Sequence, residues 1–258
     1  MVFTYRNTPE QDVVIDLPDG KKIHGILRGS LTDSRPVAII VHGRPGTANE
    51  LLPFLAAHYL HEQEINSLRL FLYDFAPDYR NIMDTTLDTH AADFKVVVDY
   101  LRSQGVKKIF ATGHSYGGLT ILRSKAHLDA AVLWDPTHGS VFTEKFDNPN
   151  YPKQYTDDIV YISTGCGFFY PRIQDNYDHE LGDNSTWARH KGYPLKFISA
   201  GKGILAPYVQ SYYEQADEPK SIVNIPDAHH QFDDSDEVIE QLFHETLLWF
   251  NKFKDQRV

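Results

Sequence analysis

Along the chain, short runs of apolar residues alternate with longer amphipathic stretches. Residues 36–41 and 130–134 are short apolar runs, which are typical of buried strands. Residues 88–104 carry apolar side chains at helical spacing and stop before Gly105, as an amphipathic helix does. The pattern predicts strands at residues 36–41, 68–73, 108–112, 130–134, 195–199 and 221–225, and helices at 50–64, 88–104, 117–127, 208–215 and 236–253.

The beginning of the chain has a different pattern. Residues 12–17 and 21–29 are strand-like and flank Pro18-Asp19-Gly20, a turn sequence, so we expect an antiparallel hairpin there. From residue 36 onwards strands and helices alternate. This order predicts one mostly parallel sheet covered by helices.

Residues 138–193 interrupt the alternation, with scattered Pro, Gly and Asn and no clear period. Aromatic residues occupy 11 of the 55 positions from 139 to 193, against 22 of 203 elsewhere. Such enrichment favours a cap over an apolar-lined pocket, although the segment can equally pack a small core of its own. We therefore predict a core of residues 1–137 and 194–258 and a cap insertion of residues 138–193.

Composition narrows the classes of function. A chain of 258 residues with 41% hydrophobic residues can bury one sizeable core, and its formal charge of −10 disfavours nucleic acid or an anionic membrane as a partner. The longest aliphatic run, Val37–Val41, is too short to span a bilayer. Residues 1–6 lack the pattern of a secretory signal, and the single cysteine, Cys166, agrees with a reducing compartment, so a cytoplasmic location is expected.

A candidate nucleophile lies in Gly113-His114-Ser115-Tyr116-Gly117, which fits the pattern Gly-x-Ser-x-Gly. The motif follows the predicted strand 108–112 and opens a predicted helix, which is the setting that exposes a catalytic serine on a sharp turn. Side chains at 113 and 117 would collide with neighbouring backbone in such a turn. The alternative is a glycine-rich strand-to-helix turn without catalysis.

A serine hydroxyl needs a histidine to remove its proton and an acid to orient that histidine. His229 and His230 follow the last predicted strand, and either is placed to serve. Asp135 ends the strand 130–134 and precedes Pro136, which makes it the best-placed acid; its alternative role is to cap backbone amides in a turn. Glu214 and Asp217 are the other candidate acids.

At this point the chain resembles the α/β-hydrolase family over nearly its whole length, in element order, serine turn, Ser-before-His order and closing helix. The resemblance implies an α/β fold with a mostly parallel eight-stranded sheet flanked by helices, and a small cap insertion after strand 6. In that family the histidine often precedes an x-Phe pair, so His230-Gln231-Phe232 favours His230 over His229.

The acid departs from the usual family pattern. Family members commonly place it just after the seventh strand, but residues 201–207 contain no carboxylate here. Some members use the end of the preceding strand of the core, where Asp135 lies. The resemblance therefore favours Asp135, and Glu214 and Asp217 stay as alternatives.

The loop His42-Gly43-Arg44-Pro45-Gly46 is similar to the His-Gly-x loop of the family. This likeness implies that the backbone N–H groups of Arg44 and Tyr116 hold the oxyanion, whose negative charge develops on the substrate carbonyl. Pro45 has no N–H to donate. For the Arg44 side chain we expect contact either with an acidic substrate group or with solvent.

These features together predict a serine carboxylesterase-like hydrolase that cleaves a small-molecule ester with an apolar or aromatic part through an acyl-enzyme. No cofactor and no metal are expected, because phosphate-cradling, dinucleotide and paired-cysteine motifs are absent from the sequence. Hydrolysis of a thioester or of a carbon–carbon bond is an alternative reaction, because neither needs another type of residue at the site.

Two further alternatives stay open. The loop 42–46 is similar to the His-Gly-Gly-Pro-Gly loop of proline iminopeptidases, with Arg44 in place of the middle glycine. An aminopeptidase needs carboxylates to bind the free amine of its substrate, and the predicted cap contains Asp175, Asp178, Glu180 and Asp183. The other alternative is a catalytically inactive α/β-hydrolase that binds a ligand or a protein partner.

Overall fold

Eight strands form the central sheet in the computed structural model, which describes residues 9–144, 153–162 and 168–256. The strands along the chain are β1 Glu10–Asp16, β2 Lys22–Arg28, β3 Val37–Val41, β4 Asn66–Phe71, β5 Ile109–His114, β6 Ala130–Trp134, β7 Lys153–Tyr155, β8 Ile159–Ile162, β9 Phe168–Pro171, β10 Leu195–Ala200 and β11 Lys220–Ile225. The order in the central sheet is β1-β2-β4-β3-β5-β6-β10-β11.

All the central strands except β2 run in one direction. Strand β2 is antiparallel to both β1 and β4, and the other neighbours pair in parallel. The predicted hairpin at the start of the chain and the mostly parallel eight-stranded sheet are thereby confirmed. Parallel pairing brings the carboxyl ends of β3, β5, β6, β10 and β11 to one edge of the sheet.

Helices cover both faces of the sheet. They are α1 Leu51–Glu62, α2 Leu87–Ser103, α3 Tyr116–Arg123, α4 Gly139–Glu144, α5 Arg172–His179, α6 Ala206–Gln215 and α7 Asp236–Lys254, with short 3₁₀ helices at Ile82–Asp84 and Ser185–Ala188. One hydrophobic core joins the sheet to α2, α3 and α6, and a second joins it to α1 and α7. Among the described residues, no helix has both the length and the apolar character that crossing a bilayer requires.

Strand β3 shows why an unbroken apolar run lies at the centre of the sheet. Val37, Ile39 and Val41 point into the core with α2 and α3, whereas Ala38 and Ile40 point into the core with α1 and α7. All five are fully buried, because side chains alternate across a strand and helices cover both faces. The strand is therefore a rigid support for the loop that follows it.

The closing helix α7, predicted at residues 236–253, docks through a stripe of apolar side chains. Val238, Leu242, Leu247 and Phe250 are all buried in the core that it shares with α1. The Ser235 hydroxyl accepts a hydrogen bond from the Val238 N–H and caps the first turn of the helix.

Residues 138–193, which we predict to be a cap insertion, lie between β6 and β10. The described parts of this segment contain α4, a separate three-stranded antiparallel sheet of β7, β8 and β9, then α5 and the second 3₁₀ helix. These strands have only three or four residues, too few to produce a readable period. Cys166 lies outside the described residues, and the division into core and cap units at 137 and 194 stays a prediction.

Candidate active site

The ends of the neighbouring strands β5 and β6 bring two candidate side chains together. Ser115 directly follows β5, and Asp135 directly follows β6. The two strands pair in parallel up to His114 opposite Trp134, so the next residues leave the sheet side by side. His230 reaches the same edge from the loop after β11.

Ser115 occupies a tight turn between strand and helix. Its φ of 54° and ψ of −119° lie in a region that side chains rarely adopt. A Cβ at Gly113 would lie 2.6 Å from the Gly117 carbonyl carbon, and one at Gly117 would lie 2.4 Å from the Val41 oxygen. Both positions therefore require glycine for close backbone approach, as the sequence predicts.

Ser115, His230 and Asp135 form a continuous hydrogen-bonded chain. The His230 Nε2 lies 2.9 Å from Ser115 Oγ, and its Nδ1 lies 2.6 Å from Asp135 Oδ2. A carboxylate only accepts, so Nδ1 carries the ring proton and Nε2 presents a lone pair to the serine O–H. The Asp135 side chain is fully buried, whereas a third of the His230 side chain is exposed to solvent.

Asp135 is held by the end of the neighbouring strand β10. Its N–H donates to the Ile198 carbonyl at 2.7 Å, and its Oδ1 accepts from the Ala200 N–H at 3.2 Å. A Cβ at Gly203 would come within 3.3 Å of Asp135 Oδ2. The Asp135 carboxylate thus lies beside the turn after β10, where the family usually has its acid.

The two alternative acids lie elsewhere. Glu214 is exposed on α6, and its Oε1 accepts from Gln210 on the same helix. Asp217 is exposed and accepts from the backbone N–H of His190. Neither carboxylate has a described contact with His230.

The loop after β11 separates the two adjacent histidines. His229 is 64% exposed, and its Nδ1 lies 2.5 Å from Asp234 Oδ1. Phe232 is fully buried and anchors the loop, which turns His230 towards Ser115. The Nε2–H of His114 donates to the His230 carbonyl at 2.7 Å, and burial lowers the pKa of His114 to about 3, so this donor ring stays neutral.

Thr137 is a neighbour of the serine that sequence reasoning missed. Its Oγ1 lies 3.0 Å from Ser115 Oγ. The only hydroxyl proton of Ser115 points at His230, so the Thr137 hydroxyl is the donor in this contact. The Thr137 N–H also donates to the Ser115 carbonyl at 3.1 Å. Nothing in the local sequence distinguishes this threonine from an ordinary turn residue.

The loop after β3 is oriented by His42. The Leu72 N–H donates to His42 Nε2 at 3.1 Å, so the ring proton is on Nδ1, which donates to the Gly43 carbonyl at 2.6 Å. Because C=O and N–H point in opposite directions across a trans peptide, fixing the Gly43 oxygen also fixes the Arg44 N–H. Burial lowers the pKa of His42 to about 4, and the ring therefore stays neutral at pH 7.

The two predicted oxyanion donors belong to residues close to the nucleophile. Tyr116 is the first residue of α3, so its N–H has no acceptor within the helix. A Cβ at Gly43 would lie 3.2 Å from Ser115 Cβ, which places the Gly43–Arg44 peptide directly against the serine. Two backbone N–H groups beside one nucleophile can stabilise negative charge on a carbonyl oxygen.

The Arg44 side chain adopts neither of the two expected positions. It is 8% exposed and donates from Nη1 to an oxygen of Asp178 and to Gln174 Oε1, both on α5. Its guanidinium lies 4.4 Å from the ring centroids of Tyr116 and Tyr170. The expectation of a substrate or solvent contact is therefore wrong, because the partner carboxylate lies 134 residues away in sequence.

The described acidic and histidine side chains give no indication of a metal site. Within residues 9–144, 153–162 and 168–256, no group of three or more His, Cys, Asp or Glu side chains is arranged to hold an ion. The chemistry available at the described edge is that of the serine, the histidine, the buried carboxylate and the backbone N–H groups.

Comparisons with known proteins agree with the fold. The model of a family described as "Alpha/beta hydrolase family" matches residues 38–241. No curated protein matches the sequence.

Similar solved structures share the fold at low sequence identity. Est1E from Butyrivibrio proteoclasticus, solved with ferulic acid bound, superposes with a TM-score of 0.76 at 18% identity, covering 95% of this chain and 100% of that one. The esterase domain of a Rhodothermus marinus protein gives 0.70 at 15% identity, with 95% and 99% covered. The α/β hydrolase GrgF from Penicillium sp. sh18 gives 0.73 at 15% identity, with 96% and 100% covered.

Proposed function

Because this chain belongs to the alpha/beta hydrolase family, we propose that it is a serine hydrolase that cleaves carboxylic esters of small molecules. The single observation that carries the proposal is the chain of hydrogen bonds from buried Asp135 through His230 to Ser115, with lengths of 2.6 and 2.9 Å. A serine on a strained turn, beside a histidine with a free lone pair, is arranged for nucleophilic attack.

The proposed reaction has two halves. Ser115 Oγ attacks the ester carbonyl carbon while His230 Nε2 takes the hydroxyl proton, and Asp135 stabilises the imidazolium that forms. The N–H groups of Arg44 and Tyr116 hold the carbonyl oxygen as it gains charge. His230 then gives the proton to the leaving alcohol, which leaves an acyl group on Ser115. A water molecule, deprotonated by His230, attacks that acyl group and restores the serine.

The internal pairing of carboxylates favours an ester over a peptide with a free amine. Asp178 accepts from Arg44 and from the Tyr116 hydroxyl. Asp175 accepts from the Tyr170 hydroxyl at 2.5 Å, and Lys153 Nζ lies 3.3 Å from it. Both carboxylates are buried, so they are not available to a substrate amine as the aminopeptidase alternative requires.

The substrate of the proposed reaction carries an aromatic or apolar group. Est1E, which shares the fold, was solved with ferulic acid, an aromatic acid. The insertion is rich in aromatic residues, and its exposed rings include Tyr155, Tyr161 and Phe169. We therefore propose aromatic or apolar acyl or alcohol groups as the substrate class.

The test is hydrolysis of p-nitrophenyl esters from acetate to laurate, beside methyl ferulate, proline p-nitroanilide and an acyl thioester. We expect turnover of esters with kcat/KM at least about 100-fold above that for the anilide, because the buried carboxylates Asp175 and Asp178 already have partners within the protein. Faster cleavage of the anilide would replace the proposal by an aminopeptidase. Inertness towards every substrate and towards a fluorophosphonate would instead indicate a binding protein.

Replacing Asp135 with asparagine tests the acid. We expect kcat for p-nitrophenyl esters to fall by about 10³- to 10⁴-fold, because an amide can donate to Nδ1 and so stabilise the wrong tautomer of His230. Steady-state rates per active site, titrated with a fluorophosphonate, measure the effect.

The matched controls for Asp135→Asn are Glu214→Gln and Asp217→Asn. Both carboxylates are exposed, and their described contacts do not involve His230, so these variants should keep wild-type kcat within about two-fold. Loss of activity in either control, with survival of Asp135→Asn, would move the acid to that position.

A further inference from the structure

We propose that Asp178 is a positioning residue of the oxyanion hole, and that through it the insertion sets the catalytic rate. Asp178 lies on α5, whereas the two proposed oxyanion donors, Arg44 and Tyr116, lie on the loop after β3 and at the start of α3. The inference rests on the proposed function and adds to it a residue that touches neither the substrate carbonyl nor the nucleophile.

One carboxylate joins the side chains of both donor residues. One Asp178 oxygen, Oδ2, accepts from Arg44 Nη1, and the other, Oδ1, accepts from the Tyr116 hydroxyl at 3.0 Å. The Asp178 side chain has no exposed surface. Because Arg44 and Tyr116 each supply one backbone N–H of the proposed hole, the carboxylate links the two donor residues through their side chains.

The Arg44 guanidinium is enclosed and depends on this carboxylate. It lies between the rings of Tyr116 and Tyr170, each 4.4 Å away, with Phe142 at 5.6 Å. Burial by itself would lower the pKa of Arg44, but the Asp178 charge raises it above the ordinary value. A buried cation that loses its carboxylate is strongly disfavoured, so the side chain would move towards water and carry its backbone with it.

The Arg44 residue is therefore held at two points. His42 fixes the peptide plane through the Gly43 carbonyl, and Asp178 fixes the side chain. Oxyanion stabilisation requires the donors to lie at hydrogen-bond distance from the charge that develops in the transition state, and a small displacement weakens them. Because that charge is weak in the bound ester, a displaced donor should lower kcat far more than it changes KM.

Other buried carboxylates of the chain provide a comparison. Asp93 on α2 is also buried and pairs with an arginine, Arg80, through Oδ2 at 2.7 Å and Oδ1 at 3.0 Å. Its described contacts include no residue of the proposed site. Asp93→Asn therefore disrupts a similar ion pair without touching the oxyanion loop, and it is the matched control.

The experiment compares Asp178→Asn with Asp93→Asn in the whole chain. For each we measure kcat and KM per fluorophosphonate-titrated site, the inhibition constant of phenylboronic acid and Tm. Phenylboronic acid forms a tetrahedral adduct with a catalytic serine, and this adduct needs the oxyanion hole. We expect Asp178→Asn to lower kcat by about 10- to 100-fold and to weaken boronate inhibition by a similar factor, with KM changed by less than about three-fold. Asp93→Asn should lower Tm and keep the wild-type kcat.

A second variant covers the case in which Asp178→Asn does not fold. Tyr116→Phe keeps the backbone N–H and the buried ion pair, and removes only the hydroxyl that contacts Asp178. We expect a fall in kcat of about three- to ten-fold, with a parallel loss of boronate affinity.

The outcomes separate this inference from the proposed function. Wild-type kcat and boronate affinity in folded Asp178→Asn, or in Tyr116→Phe when Asp178→Asn fails to fold, would overturn the inference while leaving ester hydrolysis in place. An equal loss of kcat in Asp93→Asn would also overturn it, because general destabilisation would then explain the effect. A wild-type protein inert to every ester and to the fluorophosphonate would overturn the proposed function, and the inference with it.

Discussion

The Ser115→Ala variant is expected to lose at least about 10⁴-fold in kcat for p-nitrophenyl esters, because the change removes the oxygen that attacks the ester and carries the acyl group. The change removes one oxygen, so the backbone turn and the neighbouring glycines need not move. The Thr137 hydroxyl, 3.0 Å from the serine oxygen, then loses its acceptor. Initial rates with protein of equal purity, together with mass spectrometry of the fluorophosphonate adduct, measure the loss and its location.

The control for this change is Ser124→Ala. Ser124 follows α3, is buried, and donates from its hydroxyl to the Ile121 carbonyl at 2.8 Å. The Ser124→Ala variant removes the same atom from a buried serine outside the site, and it should keep wild-type kcat. Substantial activity in Ser115→Ala, or a fluorophosphonate adduct on another residue, would contradict the proposed mechanism.

His230→Ala is expected to reduce kcat by about 10⁴-fold or more, and His229→Ala by less than about two-fold. His230 is the ring between Ser115 and Asp135, whereas His229 is exposed and turned towards Asp234. The two substitutions are chemically identical and lie one residue apart, so each controls for the other. Initial rates of p-nitrophenyl ester hydrolysis measure both.

Added imidazole makes the test of His230 sharper. A third of the His230 side chain is exposed, so its removal leaves a space open to solvent beside Ser115. We expect imidazole to restore part of the activity of His230→Ala and to leave Ser115→Ala inactive, because the first variant lacks a base and the second a nucleophile. A strong loss in His229→Ala, with normal rates in His230→Ala, would reverse the assignment.

Local sequence already predicts most of the core fold. The turn Pro18-Asp19-Gly20 correctly predicts the antiparallel hairpin, and the predicted strand 130–134 coincides with β6. Other boundaries differ by a few residues, as for α1, predicted at 50–64 and observed at Leu51–Glu62. These elements are readable because an apolar run or a helical stripe reports burial over several consecutive residues.

The secondary structure of the insertion is harder to predict from the sequence, because it lacks such long apolar patterns. Its strands have three or four residues, and α5 has eight, of which Gln174, Asp175 and Asp178 are buried polar residues. Polar residues buried against other polar residues do not produce a hydrophobic period. The sequence therefore predicts a cap at residues 138–193 but not the strands and helices within it.

The residues of the candidate site also differ in how far the sequence predicts them. The sequence by itself determined which serine is the candidate nucleophile, because the glycines that the turn at Ser115 requires are two positions away on either side. It also narrowed the candidate histidine and the candidate acid to a few residues each. Only the tertiary structure decided which of these lie together: Asp135 rather than Glu214 or Asp217 beside His230, Thr137 beside Ser115, and Asp178 beside Arg44. Those contacts join residues from 22 to 134 positions apart, and such distances are bridged by strand order and helix packing, which no local pattern encodes.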